Sequence, residues 1–396
     1  MKKFFMTLML MWMTATSTLS AQTDRTLTAD EVAELGKDLT AQWKDSVRTA
    51  YDEFYKNRIL TDDPYFMILH WSILGEKPAD GYALYISLHG GGGAPSKIND
   101  MAWMGHQGLY RPYNAVYLCP RGITDTWDMH FRPEDDAFYK QIVMMMVAFC
   151  DVNPDKVYIM GYSAGGDGVW RMAPRMADHW AAASMMAGHP GEVSLVNLRN
   201  TPFMIWCGEL DADYDRNIRC RERIAEMDSL QHADPEGYIH EGHILKGKGH
   251  DMNREDTVAV SWMAKYRRDP YPKRIVWRQE EVTRPHFYWL TVPAGELAPG
   301  KEVRADIKDN TIALTRCDYS QLTLSLNDTM LNLDEPVTVT FQGKTLFRGK
   351  VERRLSTMRS TLYERNDPSY MFPAQVTVKV FYDFAADGKV KERSKK

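Results

Sequence analysis

The residues best suited to chemistry follow an apolar run that begins at Val157 and leads into Gly-Tyr-Ser-Ala-Gly. A serine hydroxyl is a weak nucleophile, so it must stand in the open at a tight turn beside a base. The pattern G-x-S-x-G supplies that turn when a strand precedes it and a helix follows, as the apolar run and the helical pattern after it indicate. We therefore predict Ser163 as a nucleophile, with Gly161 and Gly165 leaving room for strand and helix to approach. A turn serine matching the pattern by chance is the alternative.

A second strand-like run ends in His89 and four consecutive glycines. Attack on an ester creates an oxyanion, which backbone N–H groups must face in a place poor in water. We predict Gly91 and Gly92 as donors from this loop and Ala164, directly after the serine, as the other donor. A phosphate cradle is the alternative, but no Lys-Ser/Thr follows and the dinucleotide-binding spacing is absent. His89 is expected to order the loop.

The acid partner of a histidine base is expected after a later strand, because the order in hydrolases with this turn is serine, carboxylate, histidine. The apolar run 203–206 leads into a segment with several carboxylates, of which Asp211 is best placed and Asp213 and Glu209 are rivals. The same segment is spaced like a calcium loop. Arg216 stands where that loop needs glycine, so we expect no metal here.

The base is predicted at His250, where the preceding Gly249 lets a loop bring the imidazole over the serine. His189, in Gly-His-Pro-Gly after another strand, is the second choice for the base and a candidate substrate-binding residue. Trp127 and Tyr162 are further candidates for binding substrate. The remaining histidines do not form the H-E-x-x-H zinc pattern, and no cofactor is expected.

The pattern along the chain predicts an α/β fold with a mostly parallel sheet, because short apolar β-rich runs alternate with helical stretches between residues 64 and 271. The predicted strands are Tyr65–Leu74, Tyr82–Leu88, Ala115–Leu118, Val157–Met160, Ala181–Met186 and Phe203–Trp206, and the predicted helices include Asp135–Cys150, Gly168–Ala177, Asn217–Gln231 and Arg254–Tyr266. An amphipathic helix that starts at a Thr28–Glu31 capping box precedes this domain within residues 22–63.

The pattern changes at Pro270 and Pro272, which end the last helix of the first domain. Short strand-like runs separated by turn residues then fill residues 272–386. Regular short strands of this kind predict a C-terminal all-β, sandwich-like accessory domain. Residues 387–396 form a charged tail that we expect to be frayed.

The N-terminal residues 1–21 have the features of a secretory signal peptide: two lysines, an apolar run too short to span a bilayer, and small residues. We therefore expect a secreted or periplasmic protein without stable membrane insertion. The formal net charge of −4 offers no field for nucleic acid. The five cysteines show no CxxC pair, and the sequence does not choose a disulfide among them.

These motifs resemble those of exported esterases and predicted peptidases of the α/β-hydrolase superfamily, in the phospholipase/carboxylesterase and dienelactone-hydrolase-like branch. The resemblance rests on Leu88–Gly93, Gly161–Gly168, Gly208–Asp211 and Gly249-His250. It implies Ser163 as nucleophile, Asp211 as acid and His250 as base, with Gly91 and Ala164 as oxyanion donors. It also implies that the loop of Cys119–Gly122 and Trp127 forms a wall of the site.

The sequence thus predicts a serine hydrolase that cleaves carboxylic esters through an acyl-enzyme. Only about a dozen residues, 188–200, connect the two strands between which many lipases insert a helical lid. We therefore expect an open site, which suits bulky or saccharide-linked esters. A serine peptidase is the alternative enzyme. A surface- or carbohydrate-binding protein with a vestigial hydrolase domain is the alternative without catalysis. The accessory domain is expected to steer or support, since it carries no catalytic motif.

Overall fold

A computed structural model of the chain describes residues 24–380, 382–384 and 390–392. The predicted signal peptide lies outside these residues. The described α-helices are Ala29–Asn57 (α1), Ser96–His106 (α2), Asp135–Cys150 (α3), Ala164–Arg175 (α4), Arg216–Ala233 (α5), Val258–Met263 (α6) and Leu355–Arg365 (α7). The capping box starts α1 as predicted, since the Thr28 side chain accepts from the Glu31 N–H and the Glu31 carboxylate accepts from the Thr28 N–H.

A large sheet forms the centre of the first domain. Its strands are Ile59–Asp62 (β1), Tyr65–Leu74 (β2), Tyr82–Leu88 (β3), Ala115–Pro120 (β4), Val152–Tyr162 (β5), Ala182–Met186 (β6), Phe203–Gly208 (β7) and His240–Leu245 (β8). They are ordered β1-β2-β4-β3-β5-β6-β7-β8. All neighbours from β4 to β8 are parallel, while β1 and β2 are antiparallel additions at one edge. The predicted mostly parallel α/β sheet is confirmed.

One boundary of this domain needs correction. The segment 22–63 was predicted as an N-terminal helix, but its last part forms β1, which pairs with β2. The sheet therefore begins at Ile59 and not at residue 64. A four-residue strand with one buried side chain, Leu60, carries too short a pattern to be recognised before its partner is known.

The central strands are buried on both faces, which fixes where functional residues can stand. Every residue of β4, β6 and β7 is buried, and α3 is apolar around most of its circumference. Loops that leave the carboxyl ends of β3, β5, β6, β7 and β8 meet at one edge of the parallel sheet. Ligands bind at this edge in open α/β sheets.

The C-terminal domain contains two further sheets and a short hairpin. Its strands are Arg274–Arg278 (β9), His286–Phe287 (β10), Leu290–Thr291 (β11), Glu302–Lys308 (β12), Thr311–Cys317 (β13), Gln321–Leu326 (β14), Val337–Phe341 (β15), Lys344–Gly349 (β16), Ala374–Lys379 (β17), Tyr382–Phe384 (β18) and Val390–Glu392 (β19). Sheets ordered β10-β11-β14-β17 and β16-β15-β13-β12-β9 enclose a common core, so the predicted sandwich is confirmed.

Two details of this domain differ from the prediction. It is not purely β, because α7 lies between β16 and β17 and places Met358 and Leu362 in the core of the first domain. The predicted frayed tail contains β19, which pairs with β18. The helix was not recognised because Ser and Thr interrupt a weak apolar pattern, so packing against α1 must stabilise it.

Buried ion pairs join the two domains. Asp178, fully buried, accepts from Arg284 at 2.9 Å and from Arg365 at 2.8 Å. Arg268 bridges Asp155 and Asp367, at 2.7 and 2.8 Å. The pairs of Asp178 with Arg284 and Arg365, and of Arg268 with Asp367, form only when both domains are present, so the interface is part of the folded core and not a flexible junction.

All five cysteines are buried and carry free thiols. No helix in the described part of the chain is both long and apolar enough to cross a membrane.

Candidate active site

Ser163 stands in the turn between β5 and α4, with φ 58° and ψ −123°. A non-glycine residue rarely adopts this conformation, which stores strain at functional sites. Two glycines make the turn possible: a Cβ at Gly161 would lie 2.2 Å from the Gly165 oxygen, and one at Gly165 would lie 2.1 Å from the Leu88 oxygen. The backbone N–H of the serine donates to Met186 O at 2.9 Å. The side chain is thereby held above the sheet edge.

Three predicted residues form one continuous contact. His250 Nε2 lies 2.9 Å from Ser163 Oγ, and His250 Nδ1 lies 2.8 Å from Asp211 Oδ2. Because the carboxylate can only accept, Nδ1 carries the proton and Nε2 is left to accept from the serine hydroxyl. The rivals for the acid lie elsewhere, since Asp213 is exposed and Glu209 accepts from the Gly247 N–H.

Two further side chains hold this relay. Arg216 Nη1 lies 3.3 Å from Asp211 Oδ1, where the carboxylate side chain is only 1% exposed. The Tyr162 hydroxyl donates to the backbone oxygen of His250 at 2.9 Å. Tyr162 was predicted to bind substrate, but its hydroxyl is occupied in holding the base loop. Within the described residues no group of three or more His, Cys, Asp or Glu side chains could hold a metal ion.

The glycine loop after β3 lies directly over the nucleophile. A Cβ at Gly90 would be 3.2 Å from Ser163 Cβ. Gly92 was predicted as an oxyanion donor, but its N–H donates to Asn99 Oδ1 at 2.9 Å, and that prediction is corrected. The N–H groups of Gly91 and Ala164 have no acceptor among the described residues and stay available. Gly91 has φ 112°, which favours glycine.

Asn99, on α2, is a functional residue that the sequence pattern missed. Besides accepting from Gly92, it donates to Asp125 Oδ1 at 2.9 Å. Asp125 in turn pairs with the buried Arg121 of the Cys-Pro-Arg-Gly loop. This loop therefore supports the glycine segment from behind. A lone asparagine in a helix gives no signal of such a role, because the contact depends on how the elements pack.

The rim of the site is formed by Trp127 and the loop after β6. Trp127 is 56% exposed, and its ring contacts Phe131 edge to face at a centroid distance of 5.0 Å. Its backbone lies close to the glycine loop, because a Cβ on Gly92 would be 2.7 Å from the Trp127 Cα. His189, the second choice for the base, is bonded within its own loop, where Nδ1 accepts from the Gly191 N–H at 3.1 Å. His250 is thus the histidine that contacts Ser163.

Asp167, in the first turn of α4, is the most perturbed carboxyl beside the relay. Burial raises its pKa to about 6, although the His189 N–H donates to its Oδ1 at 2.6 Å and arginines nearby oppose the shift. Its own N–H donates to Ser163 O. The carboxyl therefore connects the loop after β6 to the helix that carries the nucleophile.

Comparisons with known proteins give esterases at low similarity. The candidate esterase NocK of Nocardia uniformis subsp. tsuyamanensis is 30% identical over 131 residues, which is 29% of this chain and 36% of that protein. The chain thus spans about a third of this curated relative. No family model matches.

Among solved structures, a thermostable esterase has a TM-score of 0.40 at 16% identity, covering 53% of this chain and 64% of its own. A phospholipase/carboxylesterase from Dyadobacter fermentans DSM 18053 has a TM-score of 0.36 at 13% identity, covering 49% and 95%.

The fold assignment rests on the chain itself. The sheet has two antiparallel edge strands followed by six parallel ones with one crossover between β3 and β4. A strand–turn–helix at Ser163 stands at the centre of that sheet, and the acid and the histidine follow β7 and β8 in the order expected from the sequence. The predicted resemblance is confirmed at this level: the chain has the α/β-hydrolase fold.

Proposed function

We propose that this protein is a serine hydrolase that cleaves carboxylic esters through an acyl-enzyme. The observation that carries the proposal is the unbroken contact from Ser163 through His250 to Asp211 at the carboxyl edge of the sheet. The candidate esterase found by sequence comparison agrees with this chemistry.

In the proposed reaction, Ser163 Oγ attacks the ester carbonyl carbon while His250 Nε2 takes the hydroxyl proton. Asp211 keeps the imidazole in the required tautomer and stabilises the imidazolium. The N–H groups of Gly91 and Ala164 face the oxyanion. Collapse of the tetrahedral intermediate breaks the carbon–oxygen bond to the alcohol, which leaves with the proton from His250. Water then repeats the sequence and releases the acid.

The openness of the site supports a proposal for the substrate class. The His250 side chain is 37% exposed, and exposed apolar side chains flank the relay, with Trp127 on the oxyanion side and Tyr214 beyond Asp211. A site of this shape can accept an ester whose acyl or alcohol part extends into solvent. We propose bulky or saccharide-linked acyl esters as substrates, hydrolysed by an exported enzyme.

The decisive experiment compares the wild-type protein with Ser163→Ala. The variant is expected to lose on the order of 10⁶ in kcat toward p-nitrophenyl esters while keeping its thermal transition, because the hydroxyl alone is removed. Near-normal turnover by the variant would exclude Ser163 as nucleophile.

A substrate panel separates the enzyme classes. It contains p-nitrophenyl esters, acetylated and feruloylated saccharides, and peptidyl anilides, and fluorophosphonate labelling reports whether the serine is reactive. We expect labelling and preference for the esters. Faster cleavage of anilides would indicate a peptidase, and absence of labelling would indicate a vestigial site.

A further inference from the structure

The oxyanion loop is held by buried side chains at three successive peptide units. His130 Nε2 lies 2.9 Å from His89 O, His89 Nδ1 lies 2.7 Å from Gly90 O, and Asn99 Oδ1 accepts from the Gly92 N–H at 2.9 Å. Glycine-rich backbone would otherwise sample many orientations. In each of these three peptide groups, either the carbonyl or the N–H is therefore held by a side chain.

The contacts of His89 fix its tautomer. Gly90 O can only accept, so Nδ1 carries the proton, and the Gly122 N–H donates to Nε2 at 3.1 Å. The imidazole must be neutral to make both bonds. Burial lowers the pKa of His89 to about 4, which keeps it neutral over the physiological range.

His130 forms the layer behind His89. It is fully buried, its ring meets the His89 ring edge to face at 4.7 Å, and its Nε2 must donate because His89 O can only accept. Burial holds the pKa of His130 well below its usual value. A Cβ on Gly168 of α4 would lie 2.8 Å from His130 Cβ, so this histidine also packs against the helix of the nucleophile.

The direction of one N–H follows from these bonds. In a planar trans peptide the carbonyl and the next N–H point in opposite directions. Because Gly90 O is turned toward His89, the Gly91 N–H is turned away from the imidazole. Gly90 itself lies against Ser163, since a Cβ on Gly90 would be 3.2 Å from the Ser163 Cβ.

We propose that His89 and His130 are positioning residues that aim the Gly91 N–H at the developing oxyanion. His89 orients the Gly90–Gly91 peptide through its Nδ1–H, and His130 holds the preceding carbonyl and the ring behind it. Neither contacts substrate. This proposal rests on the proposed ester hydrolysis and adds a pair of buried neutral histidines to it.

The test uses two substitutions that each remove one bond of the same ring. His89→Asn places an amide N–H near the position of Nδ1 and keeps the bond to Gly90 O. His89→Gln places an amide oxygen near Nε2, and keeps only the acceptor for Gly122. Both cost one hydrogen bond, so a purely structural role predicts equal effects on activity.

We expect His89→Gln to lower kcat by on the order of 10², approaching the loss of one oxyanion donor, with KM changed little. The kcat of His89→Asn is expected to be at least tenfold higher than that of His89→Gln. His130→Gln and His130→Leu form a second pair in which only the first keeps a donor for His89 O, and the same ranking is expected. His243→Ala is the control, since this imidazole contacts Trp206 and Glu241 and no residue of the relay. Rates are normalised to serines labelled by fluorophosphonate.

Equal kcat values for His89→Gln and His89→Asn, with both folded, would overturn the proposal. Crystal structures of the two variants give a readout that needs no turnover, since the Gly90 carbonyl should turn only in His89→Gln. A carbonyl unmoved in His89→Gln would also overturn it. An inactive wild-type protein would instead contradict the proposed ester hydrolysis, and the structures would then decide the positioning role.

Discussion

Two clusters of aspartate, histidine and arginine can be compared among the described residues, and of these two the one at the sheet edge is built for proton transfer. At the open edge of the sheet, Asp211 holds His250, whose second nitrogen faces the serine. Between the domains, Asp178 is saturated by arginines, and Arg284 donates to His179 Nε2 at 2.9 Å. Burial holds the pKa of His179 far below its usual value. The residue types are the same, but the accepting nitrogen of His250 faces a serine hydroxyl, which can give up its proton, while that of His179 faces an arginine, which cannot.

The largest effect should separate the two histidines. His250→Ala is expected to lower kcat by on the order of 10⁶ with little change in the thermal transition, because the base is lost and the site is open. His179→Ala should leave kcat per folded molecule within a few-fold and lower stability instead. Steady-state kinetics with thermal unfolding of both variants checks this. A comparable loss of kcat in both would mean that the comparison between the clusters is wrong.

The next effect concerns stability. Asp178→Ala leaves two buried arginines without their carboxylate, so we expect a loss of about 3–5 kcal/mol in the free energy of unfolding. Urea titration measures it, with Asp45→Ala as control, since Asp45 pairs with Arg48 at the surface of α1. An unchanged urea midpoint for Asp178→Ala would show that the interface charges do not stabilise the fold. For the same reason, a chain truncated after Tyr271 is not expected to fold.

A third effect tests the oxyanion loop. Gly91→Val is expected to lower kcat by roughly 10² to 10³, because its Cβ would lie 2.5 Å from Asn99 Oδ1 and displace the loop. Gly93→Ala is the matched control, since nothing lies within 4 Å of its built Cβ, although its φ of 59° adds some strain. The ratio of the two kcat values is the measurement. A ratio near one would move the donor away from Gly91.

The smallest effect tests the rim. Trp127→Ala should raise KM for feruloylated saccharides about tenfold, the equivalent of one aromatic contact, and leave p-nitrophenyl acetate unchanged. The substrate dependence of KM distinguishes lost contact area from a displaced oxyanion loop. A fall in kcat for both esters would indicate that Trp127 supports Gly92 and does not bind substrate.

The sequence predicted the elements whose signal is local. A run such as Asp135–Cys150 is apolar and long enough to identify a helix to its end residues, and the G-x-S-x-G turn carries its chemistry in five adjacent residues. The order of strand, acid, strand and histidine then placed Asp211 and His250 without knowledge of the packing. Periodicity and motif order are therefore sufficient for the fold and the core of the site.

The missed features depend on contacts between distant segments. Gly92 differs from Gly91 only because Asn99 reaches back from the following helix. His130 carries no motif, and its place behind His89 follows from the packing of a loop between β4 and α3. The helix α7 forms on a surface supplied by α1. These contacts join segments that are far apart in the sequence, so no short stretch of sequence predicts them.

The docking of α7 on α1 sets an order of events during synthesis. Residues 24–26, at the start of the described chain, bond to Arg354 and Ser356, and Met358 and Leu362 complete a core whose first helix was made some 300 residues earlier. Contacts of such long sequence separation form late, since loop closure must precede them. The apolar stripe of α1 packs mainly on α3, but the part near Gly36 and Trp43 faces Met358 and Asn366 and therefore stays uncovered until the ribosome has made nearly the whole chain. During that interval, the emerging polypeptide presents a surface suited to holdase chaperones.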